Sequence, residues 1–440
     1  MLIQDLLFYS LYIVPFVVLA RYRDETSVYL LKVSCANALM LFYMISDHIG
    51  LLILYLSSDG VKQLNVIDRD TVILLAFYSI VVTLAYVTTG KALGRKYSSI
   101  RIPVINVLEN EKIDLRFISL LILIASPIVI LKILDDSPLL LLLAGSATEA
   151  TVLRVENAGS ASLFLGIKSS YLEILFSLLA FASEVCLVAA FVNREIKHYL
   201  YYIIIIAIIS LYWLANVSKG IVVFPIYSIL LVYSLVYQKG VIFNRTFWLS
   251  FIPVTFSIAV FSSWVLGGDN VEFWYPVERL VVGNLISQYV VVDQFNLSNL
   301  LYGATLPSWF TFGWHEQFLL DVWAWKEIFG WSIGESFYAA PSSFVAEAHA
   351  NFHAFGVVFN SFFLFTVLRG IDYLICKIKS HTIFTALIVY SSLRFANIST
   401  TGMFSYFADY HYCAVILFAL ILLEDKGRSR STLPTMSAWR

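Results

Sequence analysis

Between residues 347 and 353 the chain carries Glu347, His349, Asn351 and His353, set within the stretch 338–356, YAAPSSFVAEAHANFHAFG. A glutamate or a histidine can hold the proton of a sugar hydroxyl near neutral pH, so the group has the makings of a general base. With a helix starting near Ser343, Glu347 and Asn351 share one face at i and i+4, and His349 and His353 share the neighbouring face. Two histidines at that spacing could also ligate zinc, but the sequence places no third ligand, so no metal is assigned. An apolar, Phe-rich run follows at once. The plain alternative is a helix N-terminus with polar caps beside a membrane span.

A site that handles phosphate also needs positive charge, and the stretch has none. Three arginines elsewhere could supply it. Arg154 stands among small residues (Gly145, Ala147, Gly159, Ala161) that would let backbone approach a ligand, and its planar fork suits a lipid phosphate. It could equally pair with Glu149 or Glu156. Arg279 follows Glu278 and precedes 280–292, which reads as an interfacial or re-entrant helix lining a cavity. A pair with Glu278 or Asp293 is the other reading. Arg394 lies near the outer end of a span, where a charge must face protein or water, and could snorkel outward beside Tyr406, Asp409 and His411. Seven of the ten tryptophans fall between Trp264 and Trp331, among them Trp314 and Trp325. Aromatic residues gather at membrane interfaces on amphipathic grounds alone, yet an indole also offers a flat surface to a sugar ring.

The elements that must position these groups are membrane helices. A chain of 440 residues that is 60% hydrophobic and 13% charged, with a mean hydropathy of +0.81, carries continuous apolar runs rather than alternating ones. That pattern means an all-α polytopic integral membrane protein, one transmembrane domain over 1–440. Eleven spans are expected, near 6–20, 28–56, 71–90, 117–134, 171–192, 199–216, 221–238, 246–266, 353–368, 382–398 and 411–423. The second is too long for one straight crossing, and should tilt or emerge near Asp47 and His48. With the N-terminus outside, the inner segments hold 19 Lys and Arg and the outer ones seven, which places the C-terminus inside. Lys32, Lys132, Glu173 and Glu184 fall within spans and should point inward. The four cysteines avoid the long outer loops, 135–170 and 267–352, so no disulfide framework is expected. Neither a Gly-rich phosphate loop nor a paired Asp motif marks the inner segments. The long outer loops point to work at the outer surface.

Around Pro341, Glu347, Asn351, Phe352 and Gly356 the sequence resembles the bacterial O-antigen polymerase family. Two enlarged outer loops, with Arg154 in one and Arg279 in the other, extend that resemblance. His349 and His353 depart from it, standing where an aromatic residue and a glycine are expected. The resemblance implies a GT-C-like membrane glycosyltransferase of the bacterial inner membrane with its active site facing the periplasm. Such an enzyme uses undecaprenyl-diphosphate-linked oligosaccharide as donor and acceptor and needs no cofactor or metal. A chain-length-regulating membrane protein is a further implied partner, and no nucleic acid is. In that frame Glu347, His349 and His353 are the catalytic candidates, while Arg154, Arg279, Arg394, Asn351, Trp314 and Trp325 bind phosphate or substrate. His349-Ala350-Asn351 also resembles the related O-antigen ligases, which would keep the site and change the acceptor. A flippase or other transporter is the rival of another class. It would show inverted repeats and a polar path at the bilayer midplane.

Overall fold

The computed structural model describes residues 2–22, 32–56, 67–97, 113–134, 140–141, 149, 163–164, 167–215, 220–237, 283–307, 312, 316–329, 342–399 and 410–431. The helices begin with α1 (Leu2–Arg21), α2 (Cys35–Tyr43), α3 (Ile49–Leu56), α4 (Arg69–Tyr97) and α5 (Arg116–Leu134). A two-residue antiparallel ladder follows, β1 (Leu163–Phe164) with β2 (Ile167–Lys168). Then come α6 (Ser169–Asn193), α7 (Ile196–Ala215), α8 (Gly220–Tyr237), α9 (Gly283–Gln294) and α10 (Leu320–Phe329). The last are α11 (Phe344–Cys376), α12 (His381–Ala396) and α13 (Tyr410–Ser431).

Seven stretches among the described residues are long and apolar enough to cross a membrane: Ile3–Arg21, Cys35–Leu56, Arg69–Leu93, Arg116–Leu134, Tyr171–Asn193, Ile196–Trp213 and Phe344–Cys376. By length and composition this is a helical membrane protein. The expected span 246–266 lies outside the described residues. The chain packs as two compact units. The first holds α1 to α4, α9, α10, almost all of α11 and the end of α12; the second holds α5 to α8, the start of α12, and α13.

In the first unit α1 lies against α4. Phe8 stacks on Tyr55 of α3 with ring centroids 3.8 Å apart, and the Tyr55 hydroxyl donates to Asp5 at 2.7 Å. The second expected span does not emerge at Asp47 and His48, which are 1% and 0% exposed. A π turn, Met44–His48, joins α2 to α3 and carries both side chains into the protein. Partners from the same unit meet them there: Ser46 donates to Asp47 Oδ2 at 2.7 Å, and His48 Nε2 donates to the Tyr12 carbonyl at 3.0 Å. One extra residue in the helical ladder is the usual signature of such a turn, and it re-aims side chains that a regular helix would leave on another face.

In the second unit α6 packs on α5, α7, α8 and α13. Phe176 stacks on Tyr212 at 3.7 Å, and Phe181 meets Phe418 edge-on at 6.2 Å. Lys132 and Glu184 are buried, as their depth required, and Ser228 donates to Glu184. Glu173 is not: its side chain is 55% exposed, with His411 Nε2 at 3.4 Å. It sits one turn from the start of α6, close enough to the helix end to reach outward.

The 33 residues of α11 are two helices, not one. Phe352 (φ −143°, ψ 22°) and His353 (φ 54°, ψ −147°) break it after Asn351. In a continuous helix residues 348 and 356 would lie about 12 Å apart along the axis. Instead a Cβ built on Gly356 would sit 2.2 Å from the Ala348 carbonyl oxygen and 2.9 Å from Phe352 Cβ. The chain folds back sharply, and only a glycine lets the second helix press on the backbone of the first. Gly356→Ala should therefore cost about 1–3 kcal/mol through overpacking. Gly370→Ala, where no atom lies within 4 Å of the added carbon, should be neutral or stabilise by up to about 1 kcal/mol. Thermal midpoints of the two variants check the contrast, and equal midpoints would remove the close approach.

Candidate functional site

The helix 344–351 starts where expected. Ser343 caps it, its hydroxyl accepting from the Ala346 amide at 3.2 Å. What the sequence does not show is that every residue from Phe344 to Asn351 is buried, none more than 5% exposed. The region expected to close the outer loop 267–352 thus ends in an interior helix. Ala346 and Ala350, one turn apart, pack with Val291 and Phe295 of the α9 region and with Leu320 and Ala324 of α10. Phe344 lies 5.7 Å from the Tyr43 ring on α2. Small residues on one side and a phenyl ring on the other let α9, α10 and the membrane helices close around eight residues that include three polar side chains.

Each polar side chain then needs a partner. Asn351 is a clamp. Its Oδ1 accepts from the Gly303 amide at 2.8 Å, and its Nδ2 donates to Thr305 Oγ1 and to the Glu347 carbonyl, both at 2.8 Å. The break leaves the last carbonyls of this helix without intrahelical partners. The amides of Leu301 and Tyr302 take those of Ala350 and Asn351, at 2.9 and 3.2 Å. Segment 301–305 is thereby pinned across the helix end. Gly303 has φ 91°, a value that suits glycine. Both donors and one acceptor of Asn351 are spent on protein and it is 0% exposed, so the contacts it makes position the helix end.

His349 is fixed in the same manner. Its Nε2 lies 2.8 Å from the Phe295 carbonyl, which can only accept, so Nε2 carries the proton. Nδ1 then accepts from the Tyr78 hydroxyl at 2.8 Å. With both ring nitrogens engaged, His349 ties α4 to the end of α9 and has no nitrogen left for a substrate. His353 is different. Its ring lies 4.5 Å from that of His349, it is half-exposed, and no hydrogen bond to another described residue engages it. Its backbone lies in a region that L residues adopt only under strain. The i, i+4 relation expected between the two histidines fails because the helix breaks between them. Glu347 is buried and has a partner of its own.

The remaining candidates divide. Trp325 packs against the α9–α10 core beside Trp323 and Ile328, which gives its indole a structural task. Asp321, at the start of α10, accepts from the Val322 amide at 2.9 Å, and burial raises the pKa of its carboxyl. Arg394 occupies the last turn of α12, half-buried and with a partner. Arg154, Arg279 and Trp314 lie outside the described residues, as do Tyr406 and Asp409. Among the described residues no group of three His, Cys, Asp or Glu side chains is placed to hold a metal ion. Sequence reasoning missed Tyr78, the Phe295 carbonyl and the Gly303–Thr305 segment. Tyr78 stands 271 positions from His349 in an ordinary apolar span, where no local pattern singles it out.

No family model, no curated protein and no solved structure matches this chain. What is shown is the class: a helical membrane protein with a buried polar helix that ends in a strained, half-exposed histidine.

Proposed function

We propose that this protein is an inner-membrane glycosyltransferase that polymerises undecaprenyl-diphosphate-linked oligosaccharide repeat units at the periplasmic face. The observation that carries the reading is the broken helix. It presents His353, whose ring no described residue engages by a hydrogen bond, beside a clamp made by Asn351 and His349, at a position where the O-antigen polymerase resemblance expects a glycine and the backbone adopts a glycine-like φ of 54°. In the proposed architecture eleven spans with the N-terminus outside put this break on the outer side, within a GT-C-like frame. No nucleotide sugar is available there, so the donor must arrive on a lipid.

The chemistry follows from these groups. A hydroxyl of the acceptor sugar attacks the anomeric carbon of the donor glycan, and a new C–O bond forms. The bond from that carbon to the diphosphate breaks, its electron pair leaving with the diphosphate oxygen. The hydroxyl proton passes to a base: His353 by access, with Glu347 one turn before the break. Fixed charge on Arg279, Arg154 and Arg394 takes the place of a divalent cation at the leaving group. Trp314 and Trp325 cover the glycan, and a chain-length-regulating membrane protein is the expected partner.

Lipopolysaccharide banding tests the assignment. Cells lacking the protein should still display single repeat units outside and lose long chains, whereas loss of a flippase would hold the units inside. Arg279→Ala should lower chain extension about a hundredfold while repeat-unit synthesis continues. Unchanged chain length in a well-expressed variant sinks the reading.

A further inference from the structure

Arg369 lies in the 354–376 helix, far along the chain from the break, and is only 8% exposed. One face of its guanidinium is used: the Cζ atom stands 5.0 Å from the centroid of the Tyr86 ring, and the Tyr86 hydroxyl donates to Asn37 Oδ1 at 2.9 Å. The carboxylate nearest in sequence, Asp372, is close enough for its charge to act on Arg369, but neither Nε nor Nη2 bonds to it. Its oxygens accept from the α2 amides of Cys35 at 2.7 Å and Ala36 at 3.4 Å, capping that helix. Nε and Nη2 of Arg369 remain, both buried and both without a hydrogen-bond partner.

Those two nitrogens form one edge of the guanidinium, with parallel N–H bonds that match two oxygens on a single centre. A guanidinium keeps its charge, so the edge cannot be relieved by losing a proton, and leaving two charged donors unmet at this depth is costly. We infer that the open edge of Arg369 is a binding site for a phosphate group, set at the end of the first unit where α2 begins. Two features favour phosphate. Arg369 stands near the first turn of α2, where a span meets the phosphate layer of the bilayer. The same end of α4 carries a second cation: Lys91, five residues beyond Tyr86, sits 3.6 Å over the ring of Tyr22, which follows Arg21 in sequence.

The test uses the full chain purified in detergent, titrated separately with short-chain phosphatidylglycerol, short-chain phosphatidylcholine and inorganic phosphate. Bound molecules are counted by native mass spectrometry and the thermal midpoint is followed. The unmutated protein should retain one molecule that Arg369→Gln binds about ten- to a hundredfold more weakly. Arg369→Lys, which keeps the charge and loses the fork, should weaken binding too, and it decides the matter if the glutamine variant does not fold. Gain from the lipids alone assigns a headgroup phosphate; gain from inorganic phosphate assigns a free anion. Equal affinity of the unmutated and lysine proteins for all three overturns the site. Glycan transfer is not read at any point, so the outcome stands apart from the proposed function.

Discussion

His353→Gly is expected to make the protein more stable and nearly inactive at once. At φ 54° and ψ −147° the histidine backbone carries about 1–3 kcal/mol of strain, which glycine would not feel. The greater freedom of glycine in the unfolded chain takes back about 0.5–1 kcal/mol. A net gain near 1 kcal/mol should raise the thermal midpoint by a few degrees. Activity should move the other way, falling about 10²- to 10⁴-fold, the usual worth of a positioned base. His353→Ala separates the two effects. It removes the ring and keeps the Cβ, so it should be as inactive and no more stable. A glycine variant that still extends glycan chains would take the base role from His353 and return it to Glu347. One that is less stable would show that the strain is not stored at this peptide.

Much of the architecture was legible before the structure because one physical demand dominates it. Runs of apolar residues long enough to span lipid have few alternatives to a helix: α5 to α8 and α12 begin and end close to their expected bounds, while α4 and α13 start where expected and run about two turns further. Where the chain departs from a regular helix the sequence was silent. No proline marks the π turn at Met44–His48, so the sequence left open whether the span tilts or emerges at Asp47 and His48, which are interior. No proline marks the break at Phe352 either; Gly356 was a visible sign of close approach, but not of what it approaches. The candidate site divided along the same line. Residue types and helical spacing picked out 347–353. The roles of those residues depend on partners far away in sequence: Tyr78 and Phe295 for His349, Gly303 and Thr305 for Asn351. A buried histidine with both nitrogens engaged and a half-exposed one with an open ring look alike in a string of letters.

The same partners define the second large effect. Asn351→Ala should strip three hydrogen bonds from a fully closed interior. The Gly303 amide then has no replacement, the Thr305 oxygen loses its donor, and the Glu347 carbonyl loses its side-chain donor. At about 1–3 kcal/mol for each buried group left unmet, the loss should total about 3–5 kcal/mol, appearing as a drop of many degrees in thermal midpoint. Asn351→Asp should do no better: it keeps the acceptor for Gly303 but turns an oxygen toward the Glu347 carbonyl, where two acceptors repel. Thr305→Val alone should cost less, about 1–2 kcal/mol, and added to Asn351→Ala it should cost almost nothing more, since their shared bond is already gone. This cycle distinguishes a clamp from a ligand. If Asn351 touched substrate instead, Asn351→Ala would keep its midpoint and lose turnover, and the Thr305 change would add in full. A clamp predicts the reverse order of events: stability fails first, and activity falls because segment 301–305 no longer holds the end of the broken helix, and His353 with it, in one place.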